Sequence, residues 1–306
     1  MPSLQQLRYI VALADSLSFS RAAAISGVSQ PTLSMQIKDL ERRLGAVLVE
    51  RSRARVVLTP LGEEVTRKAR TVLATVEDIR SLSRSHGQGL AGIIRVGVVH
   101  TVGAYMLPLV VPELTTRHPD MRFHIREELP DVLMAHLDEG RHDIVIAPLP
   151  VPRGDFSTVT LFREPLMVVM PRRHPLAPRE SIEHEALRGE TILTMERGHR
   201  LAEQVSDLCD KVGASLSYDY EGTSLDTIRQ MVAMGMGISI MPSLYVRSEV
   251  RREQLVVARP FATTPPARRI GLTWRPGNPR RDAIEAIAAE MKDILRRSAP
   301  EITVPQ

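Results

Sequence analysis

The stretch SFSRAAAISGVSQPTLSMQIKDLERRLG, residues 18–45, constrains this chain more than any other. Ser18 is placed to cap a helix beginning at Phe19. Ala22, Ala23 and Ala24 give that helix a small-residue face that a second helix can approach closely. Gly27 reads as the residue that ends it. Ser29 then reads as another N-cap, with Pro31 in the first helical turn, where a missing N–H is tolerated. Leu33, Ile37, Leu40 and Leu44 recur at i, i+4, i+7 and i+11, which predicts one buried stripe along the second helix. Two helices joined by a tight, glycine-containing turn make a helix-turn-helix.

The other face of the second helix carries Gln30, Thr32, Ser34, Gln36 and Lys38. Together with Ser29 and Pro31 at its start, these suit base edges and phosphates in a DNA major groove. A plain amphipathic hairpin with a solvated polar face would carry similar residues. The following segment, VLVERSRARVVLTP, reads as a strand, a basic turn at Arg51, Ser52 and Arg53, and a second strand from Arg55 to Leu58. A basic hairpin after such a helix is a wing, whose arginines would reach phosphates or a narrow minor groove. TPLGEE then starts a helix, with Thr59 as cap and Pro60 first, expected to reach about Ser85 over about 40 Å. Val65, Ala69, Val72, Val76 and Ile79 form a heptad seam on it. A helix so long and so thinly apolar is expected to pair with a copy of itself.

Charge is unevenly spread. Residues 1–90 hold 13 Lys/Arg against 8 Asp/Glu, a net +5, whereas residues 91–306 hold 27 against 28, a net −1. All the excess positive charge lies beside the predicted helix-turn-helix, as expected for a module that meets a polyanion, although chance asymmetry of a solvated surface could give the same balance. No apolar run is long enough for a transmembrane helix, and the N-terminus lacks the basic region of a signal peptide, so a cytoplasmic protein without membrane contact is expected. One cysteine, Cys209, permits no intrachain disulfide.

From residue 93 the pattern changes to alternating strand and helix. IIRVGVV, MRFHIRE and DIVIAPL read as strands, with VGAYMLPLVVPELTTRHP as a proline-interrupted helix and DVLMAHLDEGRH as a second helix. This βαβαβ order predicts a parallel sheet with helix cover. LMVVMP, TILTM, LSYDY, GISIMP and RRIGLTWRP supply more strands, with helices near 199–212, 224–234 and 280–297. The count fits two α/β lobes, with crossings at Arg163 to Pro165 and Thr263 to Arg268 as the hinge. Expected boundaries are 1–58 for the winged head, 59–88 for the linker helix and 89–306 for the tail, whose lobe I is 93–163 plus 268–306 and lobe II 164–267.

Ligands of such folds bind beyond the carboxyl ends of strands, at helix N-termini. His100 and Thr101, Gly198 to Arg200, and Thr223 and Ser224 occupy such positions, and Pro148 lies near the end of DIVIAPL. Thr101 and Ser224 could equally be simple caps, and His100 an interface histidine. Gly235 and Gly237 read as a helix-to-strand turn, and most of the thirteen methionines as core filler. No H-E-x-x-H, G-x-S-x-G or Walker sequence is present, which argues against an enzyme, and no cofactor is implied. A solute-binding protein would suit the lobes but not the N-terminal head.

SFSRAAAISGVSQPTLSMQIKDLERRLG and VLTPLGEEV resemble the DNA-binding signature and linker entry of the LysR family of bacterial transcription regulators. The likeness implies winged-helix binding to promoter DNA, a dimeric linker helix and commonly a homotetramer. It also implies an effector domain similar to periplasmic binding proteins and action on RNA polymerase. VGVVHTVGAYMLP, LFREPLMVVMPRRHPLA, ILTMERGH, TSLDTIRQMVAMGMGISIMP and IGLTWRPG look closest to the OxyR-like branch. Peroxide sensors of that branch carry a reactive cysteine directly after the Gly-His pair, where this chain has Arg200. Cys209 falls where a resolving cysteine would be, and Pro130 stands where a threonine is expected. The resemblance favours His100, Thr101, Pro148, His199, Arg200, Thr223 and Ser224 as lining of an effector cleft. Arg200 could hold a small anion there by bidentate hydrogen bonds, or it could pair with Glu196 or Glu203. Cys209 is then a packed side chain on helix 199–212 or, alternatively, a lone oxidant sensor, a role methionines could share.

Overall fold

The computed structural model describes residues 1–51, 56–84, 92–151, 154–217 and 224–306, which form two compact units, residues 1–88 with 138–141 and the remainder of the chain. The first unit runs α1 (Leu4–Ser16), α2 (Phe19–Ile25), α3 (Gln30–Leu44), β1 (Val49–Arg51), β2 (Val56–Leu58) and α4 (Pro60–Arg84). The caps behave as their residue types dictate. Ser18 accepts from the Arg21 N–H, Ser29 from Thr32, and Thr59 Oγ1 from Gly62 at 2.9 Å. Ile10, Leu13, Ala22, Ala23, Leu33, Ile37 and Leu40 close around one core with Leu48 and Ala69. Two details differ from the sequence reading. Leu44, the last residue of the expected stripe, is exposed at the end of α3, where Gly45 closes the helix in a left-handed cap. On α4 the expected seam is divided: Val65 and Ala69, beside buried Thr66, pack on the core of their own unit, while Val72 and Ile79 are 43% and 61% exposed.

The second unit is an α/β body. Its elements are β3 (Gly92–Val98), α5 (His100–Arg117), β4 (Met121–Glu127), α6 (Pro130–Asp138), β5 (Ile144–Leu149), β6 (Ser157–Pro171), β7 (Thr191–Leu193), α7 (Arg200–Val212), β8 (Ser215–Leu216), α8 (Leu225–Ala233), β9 (Ile238–Pro242), α9 (Ser243–Ser248), β10 (Val256–Arg259), β11 (Ala267–Trp274) and α10 (Arg281–Ser298). Nine strands lie in the order β4-β3-β5-β11-β6-β9-β7-β8, with β10 also on β6. β3 pairs in parallel with β4 and β5, as the βαβαβ pattern requires, and β7 is parallel to β8 and β9. Two apolar cores result: one holds Val98, Met106, Ile146, Phe162, Trp274 and Ile287, the other Val168, Ile192, Val205, Ile228, Ile240 and Tyr245. These are the two lobes.

α5 is one unbroken helix, although the sequence predicted a proline interruption. Pro108 and Pro112 both lie inside it on its exposed side, where carbonyls that lose an N–H partner open toward solvent. The junction between lobes also differs. β6 passes through it as a single 15-residue strand, pairing with β11 in its first part and with β9 and β10 in its second.

At that passage Glu164 and Arg268 are Cα partners of β6 and β11. Their side chains form an ion pair, Arg268 Nε to Glu164 Oε2 at 2.8 Å, with 1% and 0% of each side chain exposed. Arg268 also donates to Thr101 Oγ1 at 2.7 Å and to the Thr101 carbonyl at 2.6 Å. Glu164 Oε1 accepts the Leu244 N–H at 2.9 Å, in the first turn of α9. Breaking a buried pair from one side leaves an uncompensated charge, at a loss of about 3–5 kcal/mol. Urea unfolding of Glu164→Gln and Arg268→Met should each show a loss of that order, and the double variant should lose clearly less than the two together. Additive losses, or a single loss under about 1 kcal/mol, would remove the pair from its role at the junction.

Candidate functional site

In the first unit the polar face of α3 is presented largely as its sequence suggests. Gln30, Pro31 and Lys38 are exposed, and Thr32 and Ser34 are half-buried. The Ser29 and Thr32 hydroxyls hydrogen-bond each other at 2.8 Å, which holds the helix start in shape. Gln36 turns partly inward: its Oε1 accepts from Nε2 of buried Gln6 at 3.3 Å, and Gln6 also donates to Asp39 at 2.8 Å. Met35, 61% exposed on the same helix, was not singled out from the sequence and is an apolar contact available beside the polar ones. Arg51 closes β1 opposite Val56, and Glu41 fixes the strand entry by accepting from the Leu48 and Val49 N–H groups. Arg53 lies outside the described residues.

In the second unit the predicted effector residues separate into those that converge and those that do not. His199 is the N-cap of α7, reached through Gly198 at φ +97°, a left-handed conformation that glycine adopts readily. The His199 side chain is buried, yet it makes no capping bond, and its Nε2 has no hydrogen-bond partner. The nearest carboxylate oxygen, on Glu196, is 3.9 Å away. Burial holds the imidazole below its ordinary pKa against the opposing Glu196 charge, and His100 lies near enough to depress it further. His199 is therefore neutral at pH 7, and its free nitrogen can donate or accept.

His100 begins α5 and bonds Glu127 Oε2 through Nδ1 at 2.9 Å. Thr101 beside it is buried, its hydroxyl and carbonyl both taken by Arg268. Arg200 resolves to one of its two expected arrangements: Nη1 donates to Glu203 Oε2 at 2.7 Å on the surface of its own helix. Pro148 is buried in β5 opposite Ile270, and Ser224 caps α8 through the Asp226 N–H. Thr223 lies outside the described residues. An open groove lined by Ser157, Thr158, Val159, Trp274, Arg281 and Glu285 shares no residue with this set.

Sequence reasoning missed the polar bridge between α5 and α8. The Tyr105 hydroxyl donates to Asp226 at 3.4 Å and its ring meets Tyr245 edge-on at 5.0 Å. The Tyr245 hydroxyl donates to the Leu225 carbonyl and accepts from Arg229. Burial, followed by the Asp226 charge, raises both phenol pKa values, so both remain protonated donors. The single signal in the sequence was a tyrosine one turn into α5, at a period that reads as core.

Cys209 sits within the second core, 2% exposed, beside Val205 and Leu208. Burial, and then the adjacent Asp210 charge, push its thiol up to about 11.

Residues 4–63 match the bacterial regulatory helix-turn-helix protein, lysR family, and residues 87–296 match the LysR substrate binding domain. The chain is 38% identical over 290 residues, 95% of both sequences, to the DNA-binding transcriptional dual regulator OxyR of Escherichia coli K12. It is 35% identical over 296 residues to a probable hydrogen peroxide-inducible genes activator of Streptomyces viridosporus, covering 96% of this chain and 95% of the relative. Among solved structures, a full-length OxyR variant from Pseudomonas aeruginosa superposes with a TM-score of 0.82 at 37% identity, covering 99% of this chain and 98% of that one. With both halves matched in order along nearly its whole length, the chain belongs to the LysR family of bacterial helix-turn-helix transcription regulators.

Proposed function

We propose that this regulator binds operator DNA as a dimer through α3 and the β1–β2 wing, and that a small polar effector, an anion by preference, sits between the tail lobes at His199. The division into head 1–58, linker 59–88 and tail 89–306 belongs to this reading, as do a tetrameric assembly and action on RNA polymerase. The reading makes the tail a binding module and not a catalyst.

The buried, unpartnered Nε2 of His199 carries the effector half of the proposal. A desolvated imidazole nitrogen without a partner is unfavourable by about 1–3 kcal/mol, and a ligand hydrogen bond would recover that loss. The first turns of α5 and α7 add the partial positive charge of helix N-termini, which favours an anion. Arg200 contributes less than its sequence position suggests, since Glu203 already neutralises it. Thr101 serves by positioning: held by Arg268, it fixes the start of α5 beside His100.

A second reading, response to an oxidant, draws on the relatives named hydrogen peroxide-inducible activators and on a Corynebacterium glutamicum OxyR structure described as H2O2-bound. Here it would have to act through Cys209 or through exposed methionines such as Met234 and Met236. A thiol with a pKa near 11 is ionised in about one molecule in ten thousand at pH 7, and the thiolate is the species that reacts. That favours the ligand-gated reading.

Three measurements test these proposals. DNA affinity should fall steeply with salt, and Lys38→Ala should flatten the log–log slope by about one unit while weakening operator and random DNA alike, whereas Gln30→Ala should erode the preference for operator. In a thermal-shift panel of small carboxylates and inorganic anions, a true effector raises the melting temperature as RT ln(1 + [L]/Kd). His199→Leu should keep or raise the ligand-free melting temperature while abolishing that rise; a full rise in the variant removes His199 from the site. Finally, Cys209 should react with a disulfide reagent at least about a hundredfold more slowly in the folded protein than in urea, and Cys209→Ser should leave promoter response unchanged.

A further inference from the structure

Glu128, His136 and His142, none of which belongs to the residues described around His199, bring three metal-binding atoms within 4.8 Å of one another. His136 Nδ1 lies 2.8 Å and His142 Nε2 2.9 Å from the same oxygen, Glu128 Oε2. We propose that Glu128 Oε2, His136 Nδ1 and His142 Nε2 form a binding site for a divalent transition-metal cation, zinc in the first instance, with a fourth position left to water.

The geometry needs little change. In a tetrahedral site with bonds of about 2.0 Å, ligand atoms stand about 3.3 Å apart, so the two N···O distances must open by roughly half an ångström. Two imidazoles and a carboxylate are a donor set that suits zinc and its neighbours in the first transition row. The ligands come from three separately anchored places. Glu128 follows β4, with its N–H on the Val98 carbonyl at 3.1 Å. His136 lies in the last turn of α6. His142 precedes β5, its N–H on the His136 carbonyl at 3.3 Å and its own carbonyl accepting from Arg275 Nη1 at 3.1 Å.

The His142 ring packs over Gly97 of β3, where a Cβ would stand 2.7 Å from its Cδ2 and 2.6 Å from a Leu133 methyl. Glycine at this position leaves space for the ring and fixes its orientation. His142 is buried, whereas His136 and Glu128 are 18% and 16% exposed at the side chain, which leaves an entry from solvent.

A metal requires an ionised carboxylate and an unprotonated nitrogen from each imidazole, so its uptake at this cluster displaces the protons that hold the ligands together without it. Arg126, close enough to act on His142, offsets part of the attraction of Glu128 for a cation. The competing description is a carboxylate that merely bridges two imidazole N–H groups.

Chelator-treated full-length protein titrated with Co2+ distinguishes the two. The proposal expects one site of tetrahedral visible absorption per chain, displaced by Zn2+. His136→Gln, at a half-buried position, should lower that affinity by more than about a hundredfold, beyond the effect typical of outer-shell changes. Glu128→Gln, which keeps the side-chain shape and removes the charge, should also weaken it, and serves alone should His136→Gln not fold. Absence of tetrahedral cobalt absorption in the wild type, or equal affinity in the wild type and the folded variants, overturns the site and leaves the hydrogen-bonded cluster. Neither result bears on the His199 effector proposal.

Discussion

The tail depends on a charge pair that water does not reach. Arg268 and Glu164 face each other across β11 and β6 at the place where β6 leaves one lobe for the other. Each is also tied to a helix start: Arg268 to Thr101 in α5, and Glu164 to the Leu244 N–H in α9. A guanidinium has five donors and a carboxylate only acceptors, so such a pair is tolerable in a dry interior only when its hydrogen bonds are made. The bonds to Arg268 and Glu164 come from elements on both sides of the junction, so the lobes share one polar centre instead of meeting at a loose linker. The position of Thr101, and through it of His100, follows from that centre.

This arrangement explains why residues of similar appearance in the sequence differ in what they offer a ligand. His199, Arg200 and Thr101 all lie at helix starts. Thr101 has both of its oxygens occupied by Arg268, and Arg200 has Glu203 within its own helical turn. His199 has neither kind of partner and lies deeper than Arg200. Proximity to a helix N-terminus therefore does not decide which group is available; the local supply of partners does. Cys209 obeys the same logic in the opposite direction. It faces the apolar side of α7, and among the described residues no cation acts on its thiol, so desolvation opposes the thiolate.

Features governed by neighbours in the chain were legible in the sequence. Ser18, Ser29 and Thr59 cap helices because hydroxyls satisfy first-turn N–H groups, and that chemistry lies within three residues. The apolar stripe of α3 and the βαβαβ order of the first lobe come from periodicity alone. What sequence could not supply were pairings over long separations. Glu164 and Arg268 are 104 residues apart, and each alone reads as surface charge. Tyr105 and Asp226 are 121 apart. β10 was missed because LVVAR is short and lies between polar segments, and it becomes a strand only by adding to β6. α5 was misjudged because a proline's effect depends on which side of a helix it occupies, and Pro108 and Pro112 share the solvent side.

The linker helix shows how one stripe can have two partners. Its 25 residues span about 37 Å, and the lower part of its seam, Val65 and Ala69, is taken up by the core of the head. Higher up, Val72 and Ile79 remain exposed and Val76 half-buried, so among the described side chains the seam offers about six apolar groups in total across a twofold pair. Burying them fully would contribute roughly 4–8 kcal/mol. Bringing two chains together loses an estimated 4–15 kcal/mol of translational and rotational freedom. The described part of the seam therefore sets register and direction, while a lasting dimer needs further area from elsewhere in the chain or simultaneous grip on two DNA half-sites. A helix that pairs only weakly by itself suits a regulator, because a modest change elsewhere can then alter how the two heads are held.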